Sequence, residues 1–255
     1  MPRTLGLIGS GLIGTSLARL AVAAGMNVVL SNSRGPDTLA DLVTSLGEGA
    51  RAATPDEAAR AGDLVVVTIP LKAYDRLPVA ALRGKTVLDT MNYYPQRDGR
   101  LAELDSIELT SSSLVQRHLA GSRLVKAFNS IGSNQLFTLA RPTGAPDRSA
   151  LPVAGDDETA KQEAAQLLDT LGYDTVDTGR LAESWRSEPG TPVYTKPYLG
   201  EPPAGLTPAD YFPWFLSTPG VPVPAARVRE LVAEAERGRA GGVLPQGAGG
   251  SQASP

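Results

Sequence analysis

Three glycines near the start of the chain form the segment whose residue types and spacing best fit ligand binding. Gly9, Gly11 and Gly14 have the spacing G-x-G-x-x-G, which allows a tight turn, close approach of the backbone to a pyrophosphate and close helix packing. A helix that begins here directs its free N–H groups at the phosphates. The residues predicted to bind the phosphates of a dinucleotide are Gly9, Ser10, Gly11, Leu12 and Ile13.

A polar turn after the next predicted strand indicates which dinucleotide is bound. An NAD site has Asp or Glu here to bind the ribose 2′-hydroxyl. This chain instead has Ser31, Asn32, Ser33 and Arg34, whose side chains all donate hydrogen bonds to a 2′-phosphate. An ordinary polar turn is the alternative, but the order of strand, fingerprint and strand favours NADP(H).

The hydrophobic pattern supplies the elements that must position these residues. Strands are predicted at 4–8, 27–30, 63–69, 85–90, 123–127, 151–154 and 173–176, and helices at 12–24, 37–46, 55–61, 71–82, 110–119, 158–171 and 225–238. Because strands and helices alternate, the sequence predicts an α/β fold with a Rossmann-type, doubly wound parallel sheet.

Ligands of such sheets bind beyond the carboxyl ends of the strands. This rule selects Pro70, Leu71 and Lys72 after one strand, Met91, Asn92, Tyr93 and Tyr94 after the next, and Asn129 after a third. The amide of Asn129 can bind the nicotinamide or the acceptor, although asparagine is equally common in turns. His118, the one histidine, is interpreted as a solvent-facing helix residue rather than a proton donor.

Composition narrows the class of protein. The net charge of −3 over 255 residues gives no reason to expect nucleic acid or an anionic membrane as a partner. No apolar run reaches the ~18 residues of a membrane span, and the first strand begins too early for a signal peptide. The absence of cysteine and the single histidine exclude thiolate and multi-histidine metal sites, so we expect no metal. A cytoplasmic location agrees with this composition.

Several segments recur in the order found in a known family: the fingerprint, the turn at 31–34, and the segments 124–129, 152–157 and 177–184. This set resembles the F420-dependent NADP oxidoreductase family, whose members pass a hydride between NADP(H) and the deazaflavin coenzyme F420. The segment 126–129 also resembles the cytosolic reductase domain of six-transmembrane metalloreductases, which uses NADPH to reduce a flavin. The likeness covers residues 4–184.

The resemblance implies a role for each matching segment. Residues 9–13 and 31–34 hold NADP, Pro70 and Leu71 line its path, and Phe128 and Asn129 neighbour the nicotinamide. Asn129 is the predicted catalytic residue. The complete predicted cofactor-binding set is Gly9, Ser10, Gly11, Leu12, Ile13, Ser31, Asn32, Ser33, Arg34, Ile69, Pro70, Leu71, Lys72, Asn92 and Phe128.

The chain departs from compact members of that family at Trp185. Ten of its 21 prolines lie between Arg186 and Pro224, and seven of its 13 aromatic residues lie between Trp185 and Phe215. Because disordered segments are poor in aromatics, we expect an ordered, mostly irregular extension that wraps over the domain or a second subunit. The predicted division is an NADP-binding domain (1–184), a C-terminal extension with one helix (185–240) and a mobile tail (241–255), in a homodimer.

Three functions are compatible with these features. The first is hydride transfer between NADP(H) and a deazaflavin (F420) or flavin-like acceptor. The second is NADPH-dependent reduction of a small organic acceptor such as an imine, a carbonyl compound or a quinone. The third is a non-catalytic NADP(H)-sensing module. NADPH oxidation with any acceptor excludes the third, and dependence on an added flavin or deazaflavin separates the first from the second.

Overall fold

The short apolar runs form one eight-stranded sheet in the computed structural model of the chain, which describes residues 2–244. The strands are β1 (Thr4–Ile8), β2 (Asn27–Ser31), β3 (Ala50–Ala52), β4 (Leu64–Val67), β5 (Thr86–Asp89), β6 (Arg123–Lys126), β7 (Ala150–Gly155) and β8 (Asp174–Asp177). Their spatial order is β3-β2-β1-β4-β5-β6-β7-β8. Since β1 to β6 pair in parallel, the predicted α/β Rossmann-type fold is confirmed.

Helices lie between and after these strands. They are α1 (Leu12–Ala23), α2 (Ala40–Leu46), α3 (Pro55–Ala61), α4 (Val79–Leu82), α5 (Pro95–Asp98), α6 (Ala102–Asp105), α7 (Ser111–His118), α8 (Ser133–Thr138), α9 (Glu158–Thr170), α10 (Lys196–Leu199), α11 (Pro208–Ser217) and α12 (Ala225–Ala233). Segments of 3₁₀-helix occupy Pro36–Leu39, Leu71–Arg76 and Leu181–Ser187. Between residues 2 and 244, no helix is both long and apolar enough to cross a membrane.

The order of the strands places a crevice beside the glycine fingerprint. The chain runs from β1 outward through β2 to β3, and then returns through α3 to place β4 on the other side of β1. A reversal of this kind opens a space between the carboxyl ends of the two strands at which ligands bind. The segments after β1 and β4 therefore face each other across the ligand-binding edge of the sheet.

The antiparallel direction of β7 differs from the all-parallel sheet predicted from the sequence. β7 pairs with β6 through Val125 opposite Gly155 and Lys126 opposite Ala154, and β8 runs parallel to β7. The reason is that α8 does not carry the chain back across the sheet, so β7 begins at the edge where β6 ends. As a result, α8 stays at the ligand-binding edge.

Three further local differences have clear physical causes. The helix predicted at 71–82 is a 3₁₀ segment and the short α4, because Pro78 interrupts the backbone hydrogen bonds between them. The strand β3 was not predicted because its three residues carry too short a pattern. The helix α8 was not predicted because its mixed polar sequence has no clear apolar periodicity.

The C-terminal extension shares a hydrophobic core with the sheet. Tyr198 and Val223 are buried in the same cluster as the residues of β1, β6 and β7. The Tyr198 hydroxyl donates to Ala150 O at 2.8 Å, and Ala150 N donates to Val223 O at 2.8 Å. The helix α12 packs on β7 and β8. These contacts fix the extension on the same sheet that carries the fingerprint.

The aromatic part of the extension is helical, which corrects the prediction of a mostly irregular wrap. Thr207 begins α11 by accepting a hydrogen bond from Asp210 N, and Pro208 occupies its first turn. Residues 241–244, which were predicted to begin a mobile tail, follow the surface with Gly242 N donating to Tyr93 O at 3.0 Å. The remainder of that predicted tail, 245–255, lies outside the described residues.

Candidate active site

The glycine fingerprint has the backbone geometry that a pyrophosphate site requires. Gly9 has a φ of 110°, and a Cβ atom there would lie 2.3 Å from Thr68 O, so only glycine fits. A Cβ on Gly14 would lie 2.2 Å from Gly9 O. By contrast, nothing lies within 4 Å of the Cβ position of Gly11, which faces open space. The close contacts therefore surround a turn whose outer side is open to a ligand.

At the N-terminus of α1, neither a capping side chain nor an acidic residue occupies the place where an anion would bind. Gly11 is its N-cap residue and supplies no side-chain cap, and the first turn of the helix contains no acidic residue. The first N–H groups of a helix need acceptors and form a partial positive charge. The start of α1 thus fits a phosphate group, as the spacing predicts.

The polar turn after β2 contains fewer available donors than its sequence indicates. Ser31 is fully buried and its hydroxyl donates to Leu7 O at 2.9 Å, so its side chain does not reach the surface. This corrects the prediction that its hydroxyl faces a 2′-phosphate. The cause is that β2 continues through Ser31, which pairs with Ile8 and directs its side chain into the sheet.

The other three residues of the turn have distinct roles. Asn32 shapes the turn, because its Oδ1 accepts from Arg34 N at 2.9 Å and its Nδ2 donates to Thr38 Oγ1 at 2.9 Å. The side chains of Ser33 and Arg34 are exposed and make no hydrogen bond to any residue in the range 2–244. A hydroxyl and a guanidinium therefore remain as donors to a phosphate.

A cleft of about 880 Å³ runs along the carboxyl ends of the strands. The predicted residues that line it are Gly11, Leu12, Ile13, Ile69, Pro70, Asn92, Phe128 and Asn129. Leu71 and Lys72 do not line it, which corrects two predicted positions. Leu71 turns into the core as the 3₁₀ segment begins, and Lys72 points to solvent from the same turn.

Phe128 and Asn129 occupy a strained bend at the end of β6. Phe128 has a φ of 58°, which is uncommon for an aromatic residue, and its ring is buried at the wall of the cleft. Asn129 Nδ2 donates to Asn92 Oδ1 at 3.2 Å and to Ser187 O at 2.7 Å. The carboxamide of Asn129 is therefore hydrogen-bonded within the protein. It connects the loop that carries Asn92 to the segment that carries Ser187.

Buried charges lie beneath the floor of the cleft. Lys126 and Asp89 are both fully buried, with Nζ 3.7 Å from Oδ2. Lys126 Nζ also donates to Met91 O and to Ser111 Oγ, while Asp89 Oδ1 accepts from Met91 N at 2.8 Å. Both charges thus bind the backbone of Met91, the residue before Asn92. Breaking a pair of this kind leaves an uncompensated buried charge, so the network holds the Met91–Asn92 loop in one position.

The far wall of the cleft is formed by α11. Tyr211, Phe212 and Phe215 line it from this helix. The rings of Phe212 and Phe215 stack with centroids 6.2 Å apart. Gly132 permits the close approach, because a Cβ atom there would lie 2.7 Å from Phe215 Cζ. The result is an apolar, aromatic wall on the α11 side of the cleft.

The helix α8 connects this aromatic wall to the fingerprint helix. Gln135 is fully buried, and its Nε2 donates to Phe215 O at 3.1 Å and to Thr218 O at 2.7 Å. On its other side, Ser133 O accepts from Ser16 Oγ of α1 at 2.9 Å. The two ends of the cleft are thus held at a fixed separation by one short helix.

Two tyrosines from distant parts of the chain meet in the cleft. Tyr94 follows β5 and Tyr194 belongs to the extension, and their hydroxyls hydrogen-bond each other. Burial raises the pKa of both phenols, most strongly that of Tyr194, so both stay protonated at neutral pH. The Arg97 guanidinium lies 5.0 Å from the centre of the Tyr94 ring and donates to Asn92 O at 2.8 Å.

Two other candidate proton donors lie elsewhere. Tyr93 is buried outside the cleft, where its hydroxyl contacts Asp105 Oδ1 at 3.2 Å and accepts from Leu101 N at 3.0 Å. His118 is half-buried rather than solvent-facing, because its ring packs edge-on against Tyr74 at 5.5 Å. Neither lines the cleft.

The sequence predicted that the extension helps cover the acceptor cleft or a partner subunit, but it did not predict which residues do so, and it did not predict the contribution of α8 and the loop before it. These residues are Ile131, Gly132, Ser133, Tyr194, Thr195, Leu206, Thr207, Pro208, Tyr211, Phe212, Phe215 and Leu216, with Val243 and Leu244 at its rim. One available signal was Thr207-Pro208-Ala209-Asp210, which has the same N-cap pattern as Thr54-Pro55-Asp56-Glu57. That signal, followed by aromatics at helical spacing, indicates α11.

Comparison with known proteins agrees with this geometry. Metalloreductase STEAP3 from Rattus norvegicus is 30% identical over 182 residues, which is 71% of this chain, and the chain spans 34% of that relative's length. A hypothetical protein, SMa0349, from Sinorhizobium meliloti has 26% identity and a TM-score of 0.66 over 76% of this chain and 93% of that one.

A further solved structure, that of a candidate F420-dependent NADP reductase from Arthrobacter sp. FB24, shares the fold. It has a TM-score of 0.61 and 22% identity over 71% of this chain and 86% of that one. Residues 4–93, which include the fingerprint, the polar turn and the first strand ends of the cleft, match a family model described as NADP oxidoreductase, coenzyme F420-dependent. Over these residues the chain is similar to that family.

Proposed function

We propose that the protein transfers a hydride between NADP(H) and a planar acceptor of the deazaflavin (F420) or flavin type. The observation that carries this proposal is the continuity of the cleft from the start of α1 to the aromatic wall of α11. At about 880 Å³, the cleft lies near the upper end of the range for small-molecule sites. It has room for a nicotinamide and for a second ring beside it.

The fingerprint end supports dinucleotide binding. The N–H groups at the start of α1 would bind the pyrophosphate, and the open side of Gly11 gives it access. The exposed Ser33 and Arg34 would bind the 2′-phosphate. When bound, the reduced nicotinamide supplies the hydride. The chain's own residues would position the reacting rings, because Asn92 and Asn129 hold the strand ends beside the proposed nicotinamide site.

The aromatic wall supports a planar acceptor. Phe128, Phe212 and Phe215 all line the cleft and give it an aromatic, apolar surface. A flat conjugated ring buries its area against such faces, and aromatic pairs gain further from stacked or edge-on contact. Transfer between two rings held face to face depends mainly on positioning, which the buried network beneath Met91 and the bonds of Gln135 provide.

The test is a screen of NADPH oxidation by the purified full-length chain under anaerobic conditions. The acceptors are F420, FMN, FAD, menadione and a cyclic imine, each compared with a reaction without acceptor. The proposal expects turnover with F420 or a flavin to exceed that with the imine. Turnover with the imine alone supports reduction of a small organic molecule, and no oxidation with any acceptor supports an NADP(H)-sensing module.

The tyrosine pair favours the reduction of a small organic acceptor as the second candidate function. Reduction of a carbonyl or imine is assisted by a positioned donor. The hydroxyls of Tyr94 and Tyr194 are donors placed in the cleft.

The homodimer stays a prediction, and size-exclusion chromatography with light scattering tests it.

A further inference from the structure

Among the described residues 2–244, the hydrogen bonds of the tyrosine pair leave one hydroxyl proton without an acceptor. A phenol hydroxyl has one proton to donate and two lone pairs. When Tyr94 and Tyr194 bond each other, one donates and the other keeps its own proton. The other polar contact of the pair comes from Asn92 Nδ2, at 3.5 Å from Tyr194 OH, and that group is itself a donor.

The remaining proton has no acceptor among residues 2–244 in either orientation of the pair. If Tyr94 donates, the Tyr194 proton remains; if Tyr194 donates, the Tyr94 proton remains. Both tyrosines line the cleft, which is where a ligand that accepts this hydrogen bond would lie. Because burial raises the pKa of both phenols, this donor persists over the physiological pH range.

The pair is held in place from three directions. Arg97 lies over the Tyr94 ring, and Asp98 Oδ2 accepts from Tyr94 N at 2.9 Å. Thr195, next to Tyr194, has a φ of 49° and its N donates to Ser130 O at 2.8 Å. A strained backbone beside a ligand cleft, fixed by a hydrogen bond, is typical of a functional residue.

We propose that the Tyr94–Tyr194 pair donates one hydrogen bond to a carbonyl oxygen or ring nitrogen of the hydride acceptor. The extension supplies both Tyr194 and the aromatic wall, so the recognition of the acceptor's polar edge and of its flat face comes from the same added segment. The acceptor is thus a planar conjugated molecule with a hydrogen-bond acceptor at its edge. This inference rests on the proposed function, and the pair is assigned recognition with no proton transfer.

The test measures binding directly, by equilibrium dialysis of full-length protein saturated with NADP⁺. The probes are riboflavin and menadione, which carry ring carbonyls and no phosphate. Tyr194→Phe and Tyr94→Phe are compared with wild type, with the double variant, and with Tyr74→Phe as a matched control whose ring packs on His118 outside the cleft.

We expect the single variants to bind at least one probe about 3- to 10-fold more weakly. This change corresponds to the loss of about one neutral hydrogen bond. The affinity of the double variant for the probe should be no more than about twofold below that of the single variant that binds the probe more weakly. The reason is that the two hydroxyls act as a unit. Tyr74→Phe and the affinity for NADP⁺ should not change.

Three results would overturn the inference. The first is unchanged probe affinity in every variant. The second is a loss of NADP⁺ affinity equal to the loss of probe affinity, which would place the donor at the nicotinamide. The third is the absence of binding of either probe by wild type. Failure of wild type to bind NADP⁺ at all would instead contradict the proposed function, so the two failures are distinguishable.

Discussion

The carboxamides of Asn129 and Asn92 bond each other across the ends of the neighbouring strands β6 and β5. Asn129 Nδ2 donates to Asn92 Oδ1 at 3.2 Å, and Asn92 Nδ2 donates to Asn129 O at 2.9 Å. Ser187 joins them from the extension, with its carbonyl accepting from Asn129 and its hydroxyl donating to it at 3.3 Å. The amide predicted from the sequence to orient the nicotinamide thus connects three separate segments of the chain.

Replacing Asn129 tests this connection. In Asn129→Ala, Ser187 O loses its buried donor, so we expect the free energy of unfolding to fall by about 1–3 kcal/mol. Turnover should fall more than about tenfold, or 1.4 kcal/mol of barrier, because the strand ends are no longer fixed. Thermal unfolding and steady-state kinetics measure the two effects. The turnover of His118→Ala and of Tyr93→Phe, both outside the cleft, should stay within about tenfold of wild type. A larger loss of turnover in either variant would show that its residue takes part in the reaction.

The bonds of Gln135 to α11 give a second prediction. Gln135→Leu keeps the volume but removes both hydrogen bonds to the C-terminal end of α11, so the aromatic wall should be less well fixed. We expect acceptor affinity to fall about 5- to 30-fold, equivalent to about 1–2 kcal/mol, with NADPH affinity within about twofold. Fluorescence titration, with Trp214 on α11 as a reporter, checks both. The control is Gln166→Leu, at an exposed position of α9, and equal losses for both ligands would contradict the assignment.

Buried tyrosines predict how stability depends on alkaline pH. Burial raises the pKa of Tyr198 and Tyr173 above the ordinary value near 10. Above that value the unfolded chain releases these protons and the folded chain retains them, so the free energy of unfolding falls as pH rises. Each such tyrosine contributes a slope of about 1.4 kcal/mol per pH unit. In the range below about pH 9 their contribution is constant.

Tyr198→Phe isolates one of these slopes. Urea unfolding at about pH 8 and about pH 11 should show a smaller loss of stability in the variant than in wild type, although the variant starts lower by about 1 kcal/mol without its bond to Ala150 O. Tyr74→Phe provides the control. Identical pH dependence in Tyr198→Phe and wild type would show that Tyr198 is not buried as described.

Local pattern was sufficient to predict two parts of the fold, the segment from β1 to β2 and the helix α3. The segment from β1 through α1 to β2 has an apolar strand, a glycine turn and a capped helix in immediate succession, so its boundaries were predicted to within one residue. The capping box at Thr54 likewise predicted α3, and both of its hydrogen bonds are present. In these places each residue's preference agrees with the final structure.

Tertiary contacts decided the features that were not predicted. The side chain of Ser31 points inward because the strand extends one residue further than its apolar run, and Leu71 turns inward with the 3₁₀ segment that follows Pro70. Similarly, α11 has no buried residue, and its aromatics contact a cleft formed by segments about 80 residues away. Local periodicity carries no information on such distant pairings.

The most direct test of the account is equilibrium titration of wild type and Arg34→Ala with NADPH and with NADH, because it asks whether the polar turn selects the phosphorylated cofactor. Wild type should bind NADPH more tightly than NADH. Arg34→Ala should weaken NADPH binding by about 1.5–3 kcal/mol, or about ten- to a hundredfold, and leave NADH nearly unchanged. Arg229→Ala, an exposed arginine on α12, controls for net charge. NADH bound as tightly as NADPH by wild type, or equal weakening of both by Arg34→Ala, would contradict the account.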